Sequence, residues 1–216
     1  MEVRYDKEVS ITIDKEIVYG ELIIPSKANA IVIFSHGSGS SRFSKRNRQV
    51  AKLLHAKNLG TLLFDLLTEA EDKNYNNRFD IDLLTKRLAG ATEWLEKLPA
   101  AKDCRIGYFG ASTGAASALS AAALSPDIGA VVCRGGRPDL ATYHLDKVAA
   151  PTLLIVGSLD YDVLHLNETA FRHLHCKKKL AIVEGATHLF EEPGKMEIVA
   201  ELSANWFEKH LASVYV

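Results

Sequence analysis

The sequence predicts one α/β domain built on a mostly parallel sheet of about eight strands, with helices on both faces. Three observations lead to this fold class. The first 25 residues have the pattern of a two-stranded hairpin, and strand-length apolar runs then alternate with helix-length amphipathic runs. The length of 216 residues suits a single hydrophobic core. We therefore expect residues 1–216 to form one domain, with an antiparallel hairpin leading into β-α-β units.

The N-terminal hairpin is predicted from two β-rich runs that a short turn separates. Residues 9–13 lie in the first run and residues 17–24 form the second, with Asp14 and Lys15 between them. Pro25 has no backbone N–H to donate, so we expect the hairpin to end there.

Six further apolar runs are expected to be the parallel strands, and five amphipathic runs the helices between and after them. The strands are predicted at residues 30–34, 61–64, 105–109, 130–133, 152–156 and 180–183. The helices are predicted at residues 44–57, 81–98, 113–124, 163–174 and 195–210. The clearest helix has apolar residues every three or four positions from Ile81 to Leu98, and Pro99 follows it.

Two connections bear on access to a site. Residues 68–78 are polar, and we expect them to form a surface loop. Residues 134–151 separate two of the predicted parallel strands and are too few for a separate lid domain. The sequence thus predicts an open or shallow site.

The composition favours a small-molecule partner. Twenty-six Lys and Arg residues nearly balance 27 Asp and Glu residues, which argues against nucleic acid or anionic lipid as a partner. Cys104, Cys133 and Cys176 form no C-x-x-C pair, and residues 1–8 lack the apolar core of a signal peptide. We therefore expect a cytoplasmic protein that does not bind membranes.

A candidate nucleophile follows the predicted strand at residues 105–109. Ligand chemistry in parallel sheets lies at the carboxyl ends of the strands, where this chain reads Gly-Ala-Ser-Thr-Gly over residues 110–114. A serine on a tight strand-to-helix turn needs small neighbours, which Gly110 and Gly114 provide. The pattern alone is short, and a helix-capping serine would also produce it. We predict that Ser112 is the nucleophile.

A base and an orienting acid follow two later strands, in the chain order that serine hydrolases of this kind require. His188 ends the run Gly-Ala-Thr-His, and Asp160 ends the run Gly-Ser-Leu-Asp. A serine hydroxyl needs such a base, and the base needs a carboxylate to fix its tautomer. We predict the triad Ser112, Asp160 and His188, with Asp162 as the rival for the acid.

The first parallel strand leads into a glycine-rich loop, His-Gly-Ser-Gly-Ser, over residues 36–40. Two backbone N–H groups directed at a developing oxyanion lower the barrier by about 3 kcal/mol each. We assign the N–H groups of Ser38 and Thr113 to this oxyanion hole. A dinucleotide-binding loop is the alternative, but the third glycine of that motif is replaced by Arg42.

With these motifs in place, the chain resembles the α/β-hydrolase superfamily and, within it, the dienelactone hydrolase-like group. The motifs H-G-S-G-S, G-A-S-T-G, G-S-L-D and G-A-T-H-L-F carry the resemblance from about His36 to Phe190. It implies an α/β-hydrolase fold and hydrolysis of an ester, thioester or lactone through an acyl-enzyme, without a cofactor or metal. The group's namesake uses a cysteine where this chain has Ser112. The serine favours general esterase activity over hydrolysis of dienelactone.

Several arginines follow strand ends and suggest an acidic group on the substrate. Arg42, Arg134 and Arg137 are the candidate contacts, because the guanidinium fork suits carboxylate or phosphate. Solvated surface charge is an equally good interpretation. The run His173-Leu174-His175-Cys176 resembles a metal cluster, but its place at a predicted helix end favours interaction with the helix dipole.

Two other functions fit parts of this pattern. An acyltransferase would use the same acyl-enzyme with an alcohol or amine acceptor. A non-catalytic binding protein of this fold would be expected to lose a triad residue, and here all three are present. Esterase-type hydrolysis of a small molecule is therefore the prediction, with the acyl and leaving groups open.

Overall fold

The predicted sheet is present in the structure, a computed structural model that describes residues 2–211. Its strands in chain order are β1 (Val3–Ile13), β2 (Glu16–Pro25), β3 (Ala30–Ser35), β4 (Gly60–Phe64), β5 (Arg105–Ala111), β6 (Ala130–Arg134), β7 (Thr152–Gly157) and β8 (Lys178–Val183). They form one sheet in the order β1-β2-β4-β3-β5-β6-β7-β8. Strands β3 to β8 are parallel, and β1 and β2 are antiparallel. The fold class predicted from the sequence is confirmed.

The hairpin turns where the sequence predicts. Asp14 takes a left-handed backbone conformation, with φ of 55°, which aspartate tolerates better than most residues. Strand β2 then pairs antiparallel with β4, with Gly20 opposite Phe64. A Cβ atom on Gly20 would lie 2.9 Å from the Phe64 Cβ, so this crossing requires glycine. The hairpin thereby extends the parallel sheet at one edge.

Helices cover both faces of the sheet and separate two hydrophobic cores. They are α1 (Lys45–Ala56), α2 (Glu69–Asp72), α3 (Ile81–Glu96), α4 (Thr113–Leu124), α5 (Tyr161–His173) and α6 (Lys195–Leu211). Residues of α3, α4 and α5 pack in one core, and residues of α1 and α6 pack in the other. Within residues 2–211, no helix combines the length and the apolar character that a membrane span needs.

The prediction of a plain loop at residues 68–78 is wrong. This segment contains α2 and a 3₁₀ helix, Tyr75–Phe79. Thr68 and Glu71 form a capping box, in which each side chain accepts the other residue's backbone N–H. Arg78 then ties the segment together by a double hydrogen bond to Asp72. The Thr-x-x-Glu pattern is a signal for this helix that the polar composition obscured.

The connection between β6 and β7 is short, as predicted. It holds a 3₁₀ helix, Pro138–Lys147, which packs against α4 and α5. No lid domain is inserted at this point of the chain.

Candidate active site

Ser112 occupies a strained turn between β5 and α4. Its backbone has φ of 51° and ψ of −121°, a conformation that residues with a Cβ atom rarely adopt. Three hydrogen bonds hold it: its N–H donates to the Arg134 carbonyl at 3.2 Å, and its carbonyl accepts from Ala115 and Arg137 at 3.1 and 3.0 Å. The turn presents a partly exposed side chain at the carboxyl edge of the sheet.

The two glycines around Ser112 permit this turn. A Cβ atom on Gly110 would lie 2.5 Å from the Ala115 Cα, and one on Gly114 would lie 2.1 Å from the Ser35 carbonyl oxygen. These are contacts with backbone, which cannot move aside as a flexible side chain could. The glycine spacing that predicted the turn therefore has a steric cause.

His188 and Asp160 meet at the ends of the last two strands. The His188 Nδ1 and the Asp160 Oδ2 are 2.7 Å apart. Because a carboxylate accepts, Nδ1 carries the proton and Nε2 keeps its lone pair free to act as a base. Asp162, the rival acid, lies exposed in the first turn of α5, two residues beyond Asp160.

The loops that carry this pair are held to each other by close packing and by a side chain. A Cβ atom on Gly157 would lie 2.2 Å from the Ala186 carbonyl oxygen. The Ser158 hydroxyl accepts the Gly185 N–H at 2.8 Å. These contacts fix the separation of the two strand ends and so the distance between acid and base.

Ser112 and His188 both adjoin one short segment, Arg134-Gly135. The Ser112 N–H bonds to the Arg134 carbonyl. A Cβ atom on Gly135 would lie 3.4 Å from the His188 Cε1 and Nδ1 atoms. No hydrogen bond joins Ser112 to His188 among the residues that the structure describes, an arrangement common in unliganded active sites.

The glycine-rich loop after β3 lies directly against Ser112. A Cβ atom on Gly37 would be 3.1 Å from the Ser112 Cβ. The Ser38 N–H donates to the Thr113 Oγ1 at 2.9 Å, so one predicted oxyanion donor is engaged by the side chain of the other. The Thr113 N–H has no acceptor within residues 2–211.

His36 is a site residue whose role the sequence did not reveal. Its Nε2 accepts the Leu66 N–H at 3.1 Å, so the ring proton is on Nδ1, which donates to the Gly37 carbonyl at 3.0 Å. Burial lowers the pKa of His36 below its ordinary value of 6.5. A neutral imidazole thus links the oxyanion loop to the end of β4. Its place after a buried strand was the available signal.

The three predicted substrate arginines differ sharply in the structure. Arg42 forms a salt bridge with Asp65, and Arg137 forms two hydrogen bonds with Asp139. Arg134 is only 5% exposed and has no carboxylate partner within the described part of the chain. Burial, followed by repulsion from Arg46, lowers the pKa of Arg134 well below the ordinary value for arginine, to about 10.

The structure offers no candidate metal site. In residues 2–211, no three His, Cys, Asp or Glu side chains are placed to hold one ion. His173 is the last residue of α5, where a cation is favoured by the helix dipole.

A family model described as "dienelactone hydrolase family" matches residues 21–212. A solved structure of dienelactone hydrolase from Anabaena variabilis has 48% sequence identity and a TM-score of 0.95, covering 98% of this chain and 100% of that one. The Pyrococcus furiosus esterase is 18% identical with a TM-score of 0.79, covering 96% of this chain and 92% of that one. The second likeness concerns the fold alone.

The curated relatives are longer proteins. Two strains of Mycobacterium tuberculosis each have a protein named "Putative phosphoribosyl transferase", 53% identical over 208 residues. The match covers 95% of this chain and 47% of each relative. The chain therefore spans about half the length of these relatives.

Proposed function

Because this chain belongs to the dienelactone hydrolase family, we propose that it is a serine hydrolase that cleaves a small carboxylic ester, thioester or lactone through an acyl-enzyme. One observation carries the proposal. A strained serine turn and a hydrogen-bonded His188–Asp160 pair adjoin the same segment at the carboxyl edge of the sheet. A serine nucleophile, a base and an acid that orients the base are the groups that acyl transfer needs.

In the first half of the reaction, Ser112 Oγ attacks the substrate carbonyl while His188 Nε2 takes the hydroxyl proton. The tetrahedral intermediate collapses when the imidazolium returns that proton to the leaving group. Asp160 stabilises the imidazolium through the 2.7 Å bond to Nδ1. Water then attacks the acyl-enzyme with His188 again as base, which releases the acid and restores Ser112.

The oxyanion is stabilised in this proposal by the Thr113 N–H, which has no other acceptor in the described residues. The Ser38 N–H joins it by exchanging the Thr113 hydroxyl for the oxyanion. A negatively charged oxygen is the stronger acceptor, so the exchange is favoured as charge develops. The short contact between Gly37 and Ser112 keeps this loop close to the reacting carbon.

The name of the mycobacterial relatives describes proteins about twice as long as the region that matches this chain. The 208 matched residues of this chain span Ser112, Asp160 and His188. We therefore do not carry phosphoribosyl transfer over to this chain.

The test is covalent labelling with a fluorophosphonate, which reacts with activated serines. Native protein and a Ser125→Ala control, changed at the opposite end of α4, should both label. Ser112→Ala should not label, and its hydrolysis of 4-nitrophenyl acetate should fall by about 10⁴-fold or more. Equal labelling of Ser112→Ala and native protein would refute the nucleophile and with it the proposal.

A further inference from the structure

Arg134, at the end of β6, is a buried cation that has no counter-charge among the residues the structure describes. Its side chain makes one hydrogen bond, from Nη2 to the Asn47 Oδ1 at 3.4 Å, and its buried Nε has no partner within residues 2–211. A buried charge normally has a partner, because leaving water costs several kcal/mol. A guanidinium in this state has unused capacity to bind an anion.

The N-terminus of α1 lies beside Arg134 and adds to the positive charge. Asn47, which accepts from Arg134, is in the first turn of this helix, a turn without acidic residues. The N–H groups of Lys45 and Arg46 have no acceptor in the described chain, and such groups at a helix N-terminus favour anions. The buried guanidinium of Arg134 and the positive end of the α1 dipole therefore lie side by side, and both favour an anion.

Few carboxylates are available to neutralise the cluster of Arg134 and Arg46, whose guanidinium groups repel each other. Arg46 pairs with Glu191 at 2.8 Å but leaves its buried Nε without a partner within residues 2–211. In the described part of the chain the charge of Arg134 thus remains uncompensated beside the positive end of α1.

The cluster adjoins the candidate active site on two sides. Helix α1 follows the glycine-rich loop that lies against Ser112, and Glu191 is three residues after His188. The Arg134 backbone itself accepts the Ser112 N–H at 3.2 Å. An anionic group held here would lie beside the backbone segment Arg134-Gly135, which also contacts Ser112 and His188.

From this geometry we propose that the cluster of Arg134 and Arg46, together with the N-terminus of α1, binds a phosphate group of the substrate, so that the enzyme acts on a phosphorylated ester or lactone. The inference rests on the proposed hydrolase function for its substrate role. A phosphate monoester has three terminal oxygens and a charge near −2, which matches two guanidinium groups with unpaired N–H donors and two backbone N–H groups that are free in the described chain. A carboxylate has only two oxygens and would leave part of these donors unmatched.

The first experiment measures binding of inorganic phosphate by calorimetry, with acetate and chloride compared at equal ionic strength. Native protein should bind phosphate more tightly than acetate. Arg134→Gln should raise the dissociation constant by about tenfold or more. Arg137→Gln is the matched control, because its guanidinium is already held by Asp139. Phosphate binding that is absent, weaker than acetate binding, or equal in both variants would overturn the inference.

A second variant, Arg46→Gln, tests the same site if Arg134→Gln does not fold. Arg46 is a third exposed, so Arg46→Gln should fold and bind phosphate severalfold more weakly, since it leaves Glu191 unpaired beside the cluster. Unchanged binding in Arg46→Gln would contradict the proposed site.

Kinetics then test the substrate role. A 4-nitrophenyl ester whose acyl chain ends in a phosphate should be hydrolysed with a higher kcat/KM than 4-nitrophenyl acetate, and inorganic phosphate should inhibit its hydrolysis competitively. The absence of this preference, or inhibition that is purely non-competitive, would overturn the assignment to the substrate. Failure of the hydrolase proposal is recognised separately, by the absence of fluorophosphonate labelling at Ser112. The calorimetric result does not depend on that activity.

Discussion

Ser112, the proposed nucleophile, and His188, the proposed base, are positioned in different ways. The turn at Ser112 is set by backbone contacts of Gly110 and Gly114, and the helix after it is buried along most of its length. The His188 side chain is 36% exposed, and the hydrogen bond to Asp160 orients its ring. Close packing at Gly157 sets the spacing of the loops on the base side. The nucleophile should therefore be sensitive to added volume, and the base to loss of one polar group.

The largest expected effect is on the base side. Asp160→Asn should lower kcat for ester hydrolysis by about 10⁴-fold, because an amide can donate to Nδ1 and so favours the wrong tautomer of His188. Asp162→Asn is the control, and steady-state kinetics on 4-nitrophenyl acetate provide the measurement. If Asp162→Asn is the inactive variant, the acid has been assigned to the wrong residue.

On the nucleophile side, Gly114→Ala should destabilise the protein by about 4 kcal/mol or more, since its Cβ would overlap backbone oxygens of the neighbouring strand end. Gly194→Ala is the matched control. Gly194 has φ of 79° and no atom within 4 Å of the added Cβ, so only about 1 kcal/mol is expected there. Denaturant unfolding measures both, and similar losses would show that packing does not set the turn.

His36, a titratable residue, lies on the side of Ser112 and makes the stability of the folded protein depend on pH. The pKa of folded His36 is below its ordinary value of 6.5, so the unfolded chain binds the proton more readily. The stability that this residue contributes is fully present above the ordinary pKa of 6.5 and is lost as the pH falls from there toward the lower pKa of the folded state. The loss is about 1.4 kcal/mol for each pH unit between the two pKa values.

From pH 7 to pH 5, the free energy of unfolding should therefore decrease more in native protein than in His36→Gln. Burial also lowers the pKa of His55, but that residue contributes equally to both proteins. A steeper fall in His36→Gln than in native protein would contradict the neutral, buried state of His36.

The smallest expected effect concerns the contact that joins the oxyanion loop to the nucleophile turn. Thr113→Val removes the acceptor that the Ser38 N–H must leave in order to reach the oxyanion, with little change of shape, so kcat should rise about fivefold, the value of one ordinary hydrogen bond. Thr113→Ser keeps the hydroxyl and should retain native activity. Slower turnover in Thr113→Val would contradict the exchange, because it would mean that this contact holds the loop in place during the reaction.

The sequence by itself determined the sheet and the chain positions of the candidate site. Alternating apolar and amphipathic runs are local patterns, so strands such as β3 and β5 were predicted to within two residues at each end. The motif around Ser112 could be read because a tight strand-to-helix turn excludes side chains two residues away on both sides. Chain order then separated Asp160 and His188 from the other acids and histidines.

The tertiary structure alone decided which polar groups are satisfied. Arg42, Arg134 and Arg137 look equivalent in sequence, yet carboxylates from Asp65 and Asp139 neutralise two of them. Arg134 is buried and has no carboxylate partner within residues 2–211. Its nearest polar partner, Asn47, is 87 positions away along the chain. Charge compensation depends on which side chains meet after folding, and no local pattern of residues records those distances.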